Sequence, residues 1–160
     1  MRKKKPLRLA FGELRLPAII FLLVVAVSCS QQSLPQVPAL RDLGFSNALE
    51  VVRQQVAESY ASWEEAPLDP QRNGQLGMLL SAYGKNGSAE ILYRRARELA
   101  PGEFRWTYHL AINLTESGRY EEAEALLRDA LAIDPDQVEA RVRLADLLLE
   151  TNQLEQSIDL

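Results

Sequence analysis

Hydrophobic and small residues recur at a fixed interval of 34 residues through the second half of the chain. The first copy consists of Leu76, Gly77, Leu80, Gly84, Ala89, Tyr93, Ala96, Leu99 and Pro101. The second copy consists of Leu110, Ala111, Leu114, Gly118, Ala123, Leu127, Ala130, Ile133 and Pro135. A third copy begins with Leu144, Ala145, Leu148, Asn152 and Ser157. A repeat of this length is typical of helix-turn-helix arrays, whose units bury their apolar faces by stacking on one another.

Each unit contains two helical patterns separated by a turn. In the first helix of the second copy, Ala111 lies between Leu110 and Leu114, which leaves a notch where another helix can pack closely. Gly118 follows, and glycine can end a helix in the left-handed conformation. The second helix carries apolar residues three and four apart, namely Ala123, Leu127, Ala130 and Ile133. Pro135 then ends this helix, because proline is tolerated in a first turn but not in a helix interior.

These patterns predict an all-α fold, a helix-turn-helix repeat solenoid. We expect helices near residues 71–83, 88–100, 104–117, 120–132, 137–150 and 154–160. Residues 39–67 are predicted to form an N-terminal capping helix, because the ends of a solenoid must be covered. Its apolar stripe is Leu49, Val52, Val56, Tyr60 and Trp63, and it ends near Pro67. Ser46 or Asn47 is the expected helix cap, with Glu50 three or four residues later.

The spacing of these residues resembles the tetratricopeptide repeat family. With Phe104 as the first position, the matching positions of the second unit are filled by Leu110, Ala111, Leu114, Gly118, Tyr120, Ala123, Leu127, Ala130 and Pro135. Trp106 stands one place before the usual aromatic, and Asn86 replaces the usual tyrosine of the first unit. The resemblance covers residues 70–160 and implies repeats at 70–103 and 104–137, with an incomplete third repeat at 138–160. The family is a scaffold with many different ligands, so it implies fold more than function.

The start of the chain is typical of an export signal. Residues 1–15 carry six Lys and Arg residues against one Glu, and an uncharged apolar run follows at residues 16–28. A membrane-spanning helix needs roughly 20 apolar residues, so this shorter run predicts a signal peptide over residues 1–28, forming a signal helix.

Cys29, the single cysteine, ends the apolar run and looks like the cysteine of a bacterial lipobox. The resemblance implies that its sulfur is lipidated and that it becomes the new N-terminus. A simple cleaved signal and an uncleaved anchor are the alternatives. Residues 29–38 are polar and contain proline, which predicts a flexible tether. Ser30 follows the cysteine instead of aspartate, and by resemblance to Gram-negative lipoproteins this favours the outer membrane, facing the periplasm.

Charge separates the leader from the rest of the chain. Residues 1–28 hold six of the 18 Lys and Arg and one of the 22 Asp and Glu, which leaves a net charge of about −9. Nucleic-acid binding needs a basic surface, so we expect none. Membrane attachment is expected through the lipid alone.

No arrangement of residues in the sequence points to catalysis or to a cofactor. One cysteine and one histidine cannot form a Cys-His metal cluster or a haem attachment motif. His109 falls where such repeats face their inner groove, which favours a partly exposed groove residue over a catalytic one. We therefore expect neither an enzyme nor a bound cofactor or metal.

The first helices of the units are predicted to line a groove for a peptide or a partner helix. Its residues are Gln71, Gln75, Met78, Ser81, Arg105, Tyr108, His109, Ile112, Thr115, Glu116, Glu139, Arg143, Asp146 and Glu150. Tyr108 and Ile112 would form an apolar centre with polar groups around it. The alternative is that these residues are only the solvated sides of helices.

The sequence thus predicts an exported, lipid-anchored adaptor that binds a protein or peptide partner. The alternative is the N-terminal part of a longer exported enzyme or electron-transfer protein, since the third repeat is incomplete at Leu160. Self-association through Leu154 and Ile158 at that open repeat is a further possibility.

Overall fold

A computed structural model describes residues 36–158, and the regular structure in that range is entirely helical. A 3₁₀ helix at Leu40–Leu43 precedes seven α-helices in the described range. These are α1 (Glu50–Glu65), α2 (Pro70–Ala82), α3 (Asn86–Leu99), α4 (Phe104–Glu116), α5 (Tyr120–Ile133), α6 (Val138–Glu150) and α7 (Leu154–Ile158). The prediction of an all-α solenoid is confirmed. The predicted signal segment and Cys29 lie outside the described residues.

The turns inside the repeats share one backbone conformation at the 34-residue interval. Gly84, Gly118 and Asn152 all have positive φ, at 69°, 74° and 60°. The residue after each of them donates its N–H to the carbonyl five positions earlier, at 2.7–2.9 Å. This bond satisfies a carbonyl that the helix end leaves free. Asparagine tolerates the left-handed region better than other non-glycine residues, so Asn152 can close the third turn.

Small residues let the two helices of each repeat pack closely. Ala89, Ala96, Ala123 and Ala130 of the second helices are fully buried. In the notch of α2, a Cβ added to Gly77 would lie 3.0 Å from Cε1 of Tyr93. The large residues that flank the corresponding notch of α4, Leu110 and Leu114, are also fully buried. Burying one leucine contributes about 1.5–3 kcal/mol, so these hairpins depend on close packing.

Successive repeats contact each other mainly through the second helix of one and the first helix of the next, α3 with α4 and α5 with α6. The rigid contact between first helices joins Gly74 of α2 to Trp106 of α4, whose indole is 1% exposed. Second helices are joined by side-chain bonds, such as Arg97 to Asp129 at 2.8 Å between α3 and α5. Between α5 and α7, Arg128 donates to Gln156 at 2.9 Å. The result is a layer of first helices (α2, α4, α6) and a layer of second helices (α3, α5, α7).

The N-terminal segment covers the first repeat. Helix α1 packs against α2, and Val56 and Tyr60 are buried on its inner side. The Tyr60 hydroxyl donates to the Pro38 carbonyl at 3.1 Å, and Val37 packs against the core. The last residues of the predicted tether therefore contact the fold.

Three local expectations are wrong. Helix α1 begins at Glu50 after Leu49, and neither Ser46 nor Asn47 caps it. The Arg53 guanidinium instead donates to the Ala48 carbonyl at 2.9 Å, which satisfies backbone near this helix start.

The other two concern residues placed in apolar stripes. Leu49 precedes α1 and is 75% exposed, because it lies outside the helical face. Ile133 is the last residue of α5 and is 37% exposed.

Within residues 36–158, no helix combines the length and apolar character that crossing a bilayer requires.

Candidate functional site

The predicted groove residues all lie on the layer of first helices, and each keeps part of its surface accessible. We call this exposed side of α2, α4 and α6 the first-helix face. Helix α2 contributes Gln71, Gln75, Met78 and Ser81. Helix α4 contributes Arg105, Tyr108, His109, Ile112, Thr115 and Glu116. Helix α6 contributes Glu139, Arg143, Asp146 and Glu150.

A cavity of about 380 Å³ opens on this face between α4 and α6. Its lining residues are Ile112, Thr115, Glu116, Arg143, Asp146, Leu147, Leu149 and Glu150. The volume falls in the range of roughly 300–1,000 Å³ that is usual for ligand sites. The structure thus brings six of the predicted residues into one concave site, and the predicted residues of α2 lie outside it.

Three apolar residues of α6 were not among the predicted groove residues. Leu147 and Leu149 line it, and Val142 lies on the same helix with 52% of its surface exposed. The 34-residue interval could have found two of them, because Leu149 corresponds to Thr115 and Val142 to Tyr108. The first-helix face is therefore more apolar than the sequence analysis indicated.

Aromatic rings continue the first-helix face toward the start of α4. Phe104 and Tyr108 stack with their ring centroids 5.4 Å apart. His109 stacks on Tyr93 of α3 at 5.8 Å and meets Tyr108 edge-on at 5.6 Å. Phe104, Tyr108 and His109 stay partly exposed beside the buried Tyr93, and this platform of rings suits contact with another apolar surface.

Burial sets the protonation of the two rings at the back of this platform. It lowers the pKa of His109 below its usual value, and the neighbouring Arg105 cation lowers it further. It also raises the pKa of the Tyr93 hydroxyl to about 12. Both rings are therefore uncharged near neutral pH, as expected for groups that pack against each other.

The cavity wall carries charges that other residues of the fold do not pair. In the part of the chain that the structure describes, Glu116, Asp146, Glu150 and Arg143 form no ion pair. Within residues 36–158, their side chains make one polar contact, a weak one from Asn86 Nδ2 to Glu116 Oε2 at 3.4 Å. Three carboxylates against one guanidinium leave the wall with a net negative charge.

Charges on the layer of second helices are arranged differently. Arg119 bonds to Glu90 of α3 and to Glu122 of α5, both at 2.7 Å. Arg94 joins the same two carboxylates, at 2.8 and 3.3 Å. Hydrogen bonds from Arg119 hold the pKa of Glu122 below its usual value. These pairs are screened by water, so each is weak on its own, and together they join α3 to α5.

No group of three or more His, Cys, Asp and Glu residues suited to a metal ion occurs among residues 36–158. On the first-helix face, the described side chains form a platform of rings and a charged, partly apolar cavity. Such an arrangement can bind a ligand by burial and ion pairing.

Comparison with known proteins agrees with this architecture. The Tetratricopeptide repeat family model matches residues 114–160. Protein O-mannosyl-transferase TMTC1 of Homo sapiens is 34% identical over 82 residues, which are 51% of this chain. The matched part of this chain spans 9% of that relative.

Solved structures share the fold. A mutant O-GlcNAc transferase of Thermobaculum terrenum is 29% identical, with a TM-score of 0.57 over 68% of this chain and 21% of that one. A structure of MamA MSR-1 is 20% identical, with a TM-score of 0.61 over 73% of this chain and 67% of that one. The stacked helical hairpins, the family match over residues 114–160 and these neighbours together show a tetratricopeptide-repeat fold.

Proposed function

We propose that this chain is an exported, lipid-anchored scaffold whose first-helix face binds a segment of a partner protein. Tetratricopeptide repeats support a role in protein–protein interaction. The observation that carries the proposal is the cavity between α4 and α6, which adjoins the aromatic platform of α4. A concave, partly apolar surface with polar groups around it suits a bound helix or extended peptide.

The anchor rests on the leader of the sequence. A basic segment, an apolar run and Cys29 occur in the order that a bacterial lipoprotein signal requires. Seven residues separate Cys29 from Val37, the first residue that packs against the core. In an extended conformation they would span roughly 20 Å, which would keep the repeats near the membrane. Outer-membrane attachment facing the periplasm is part of this proposal.

Metabolic labelling with a palmitate analogue tests the anchor. We expect the wild-type chain to incorporate label and to fractionate with membranes. Cys29→Ala should incorporate none, because the acceptor sulfur is gone. Ser28→Ala is the control, since it keeps the cysteine and a small residue before it. Label that persists on Cys29→Ala, or a wild-type chain without label, would rule the anchor out.

Crosslinking capture from membranes tests the first-helix face. Tyr108→Ala removes a ring from the platform, so we expect capture of the partner to fall at least tenfold, as for a central aromatic contact of about 2 kcal/mol. Tyr120→Ala is the matched control, because Tyr120 is 38% exposed and lies on α5 in the other layer. Capture that is equal in both variants would contradict the proposal.

A second candidate function is a repeat module within a longer exported enzyme or electron-transfer protein. The specific observation is that the chain matches 9% of one transferase and 21% of another. An in-frame continuation of the coding sequence past Leu160 would favour this candidate.

A further inference from the structure

The cavity between α4 and α6 has an apolar floor and an anionic rim. Leu147 is 2% exposed at its base, and Ile112 and Leu149 flank it with more accessible surface. Glu116, Asp146 and Glu150 stand around these apolar groups and are all exposed. An occupant must therefore offer apolar surface to the floor and positive charge to the rim.

The rim carboxylates are not paired within the fold, unlike the carboxylates between α3 and α5. Between α3 and α5, the carboxylates of Glu90, Glu122 and Asp129 are each paired with an arginine of the fold. The rim carboxylates have a guanidinium beside them, that of Arg143, and still form no ion pair within the described residues. They remain available to an external cation.

We infer that the cavity receives a lysine or arginine side chain from an amphipathic basic segment of the partner protein. The aliphatic stem of the side chain lies on Ile112, Leu147 and Leu149, and its cationic head reaches the rim carboxylates. Long basic side chains bury their stems on apolar surfaces while the charge stays near water. Apolar residues of the same segment pack on the ring platform of Phe104 and Tyr108. This inference rests on the proposed function and adds the chemistry of the partner.

Charge complementarity selects this occupant over others. The rim carries three carboxylates and one guanidinium, so an acidic segment would meet net repulsion. Like charges brought together at an interface suppress wrong partners, and opposite charges steer the correct one. A wholly apolar segment would cover three carboxylates without compensating them, which is unfavourable.

Fluorescence anisotropy with synthetic peptides tests the inference on the full chain in a neutral detergent. The probe is a fluorescein-labelled peptide with Leu and Lys placed to form an amphipathic helix, and a matched peptide carries Glu in place of Lys. The test variant combines Glu116→Gln, Asp146→Asn and Glu150→Gln. The control variant combines Glu64→Gln, Glu98→Gln and Glu121→Gln, which removes the same charge from exposed carboxylates off the cavity.

We expect the Lys peptide to bind the wild-type chain and the Glu peptide not to bind. The test variant should weaken binding of the Lys peptide about tenfold or more, since it removes three ion-pair partners. The control variant should change the Kd less than about twofold, because distant surface charges are largely screened. Thermal unfolding of both variants shows whether each is folded.

Three results would overturn the inference: no binding of the Lys peptide, equal binding of the Glu peptide, or equal weakening by the two triple variants. The crosslinking experiment separates this failure from that of the proposed function. If capture of the partner depends on Tyr108 but not on the rim carboxylates, the first-helix face binds a partner and the inference of a basic segment is wrong. If capture does not depend on Tyr108, the proposed function itself fails.

Discussion

Gly74→Ala is expected to lower the melting temperature by roughly 5–15 °C, the effect of about 1–3 kcal/mol of overpacking. Gly74 is buried in α2, and an added Cβ would overlap Cζ3, Cε3 and Cη2 of Trp106 on α4. The indole cannot easily move away, because it is 1% exposed and the Arg105 guanidinium covers it at 4.7 Å. The clash must therefore push the first repeat away from the second. Differential scanning calorimetry measures the change.

The control for this prediction is Gly87→Ala in the first turn of α3, where an added Cβ meets nothing within 4 Å. Alanine is a better helix former than glycine by up to about 1 kcal/mol, so this variant should be neutral or stabilised. The two substitutions are chemically identical and should have opposite signs. In a Trp106→Leu background, Gly74→Ala should cost less, because the overlapping ring is gone. A Gly74→Ala variant as stable as the Gly87→Ala variant would show that the two helices are not in this contact.

Asn73→Leu should cost about 2–4 kcal/mol and release α1 from the array. Asn73 is fully buried, and its Oδ1 accepts from the Trp63 indole at 2.9 Å. Its Nδ2 donates to the carbonyls of Pro67 and Asp69 at 2.9 and 2.8 Å. Leucine would remove all three bonds. The Asp69 carbonyl still accepts from the Asn73 backbone N–H at 3.1 Å, but the Trp63 indole N–H and the Pro67 carbonyl lose this partner. A buried polar group left unpaired costs about 1–3 kcal/mol. Hydrogen exchange should show faster exchange in α1, together with a lower midpoint of unfolding.

Asn113→Leu is the matched control, because Asn113 is also a buried asparagine on a first helix, 1% exposed. Its side-chain nitrogen and oxygen find no hydrogen-bond partner among the described residues. Leu79 and Leu147 occupy the same register in the neighbouring repeats, so the site is suited to a leucine. We expect Asn113→Leu to be neutral or stabilising, since it removes an unsatisfied amide. Equal destabilisation by both substitutions would mean that leucine volume, not lost hydrogen bonding, sets the cost.

The turn residues show how far the sequence pattern extended. Gly118 predicted a left-handed helix end, and Gly84 and Asn152 occupy the same register in the other two copies. All three have positive φ. The prediction succeeded because turn geometry depends on local backbone sterics, which one residue largely sets.

The candidate site was predictable only in part. The repeat register placed Tyr108, Ile112 and Asp146 on the first-helix face, because helical spacing fixes which side of a helix a residue occupies. Leu149 also lines the cavity. It corresponds in this register to the polar Thr115 and was not among the predicted groove residues. The sequence shows which side of a helix a residue occupies. The depth and walls of a cavity depend instead on the distance between two helices.

Contacts between segments of different type were not predictable. The hydrogen bond from Trp63 to Asn73 joins α1 to α2. The position that corresponds to Asn73 in the next repeat is Thr107, so the described fold does not repeat this bond there. Likewise, Gly74 is unremarkable in the repeat pattern until Trp106 is placed against it. Such contacts depend on how far one helix is shifted along another, which a periodic pattern does not specify.

The sequence by itself determined the hairpin array, its turns and the side of each helix that stays accessible, because a 34-residue period combined with helical spacing leaves one way to bury the apolar residues. Only the tertiary structure decided which charges are paired. Arg119 reaches Glu90 across 29 positions of the chain, while Glu116, Asp146 and Glu150 stay unpaired around a cavity within the described fold. Pairing depends on the packing of α3 against α5 and of α4 against α6, since a side chain bonds only what the neighbouring helix brings within reach.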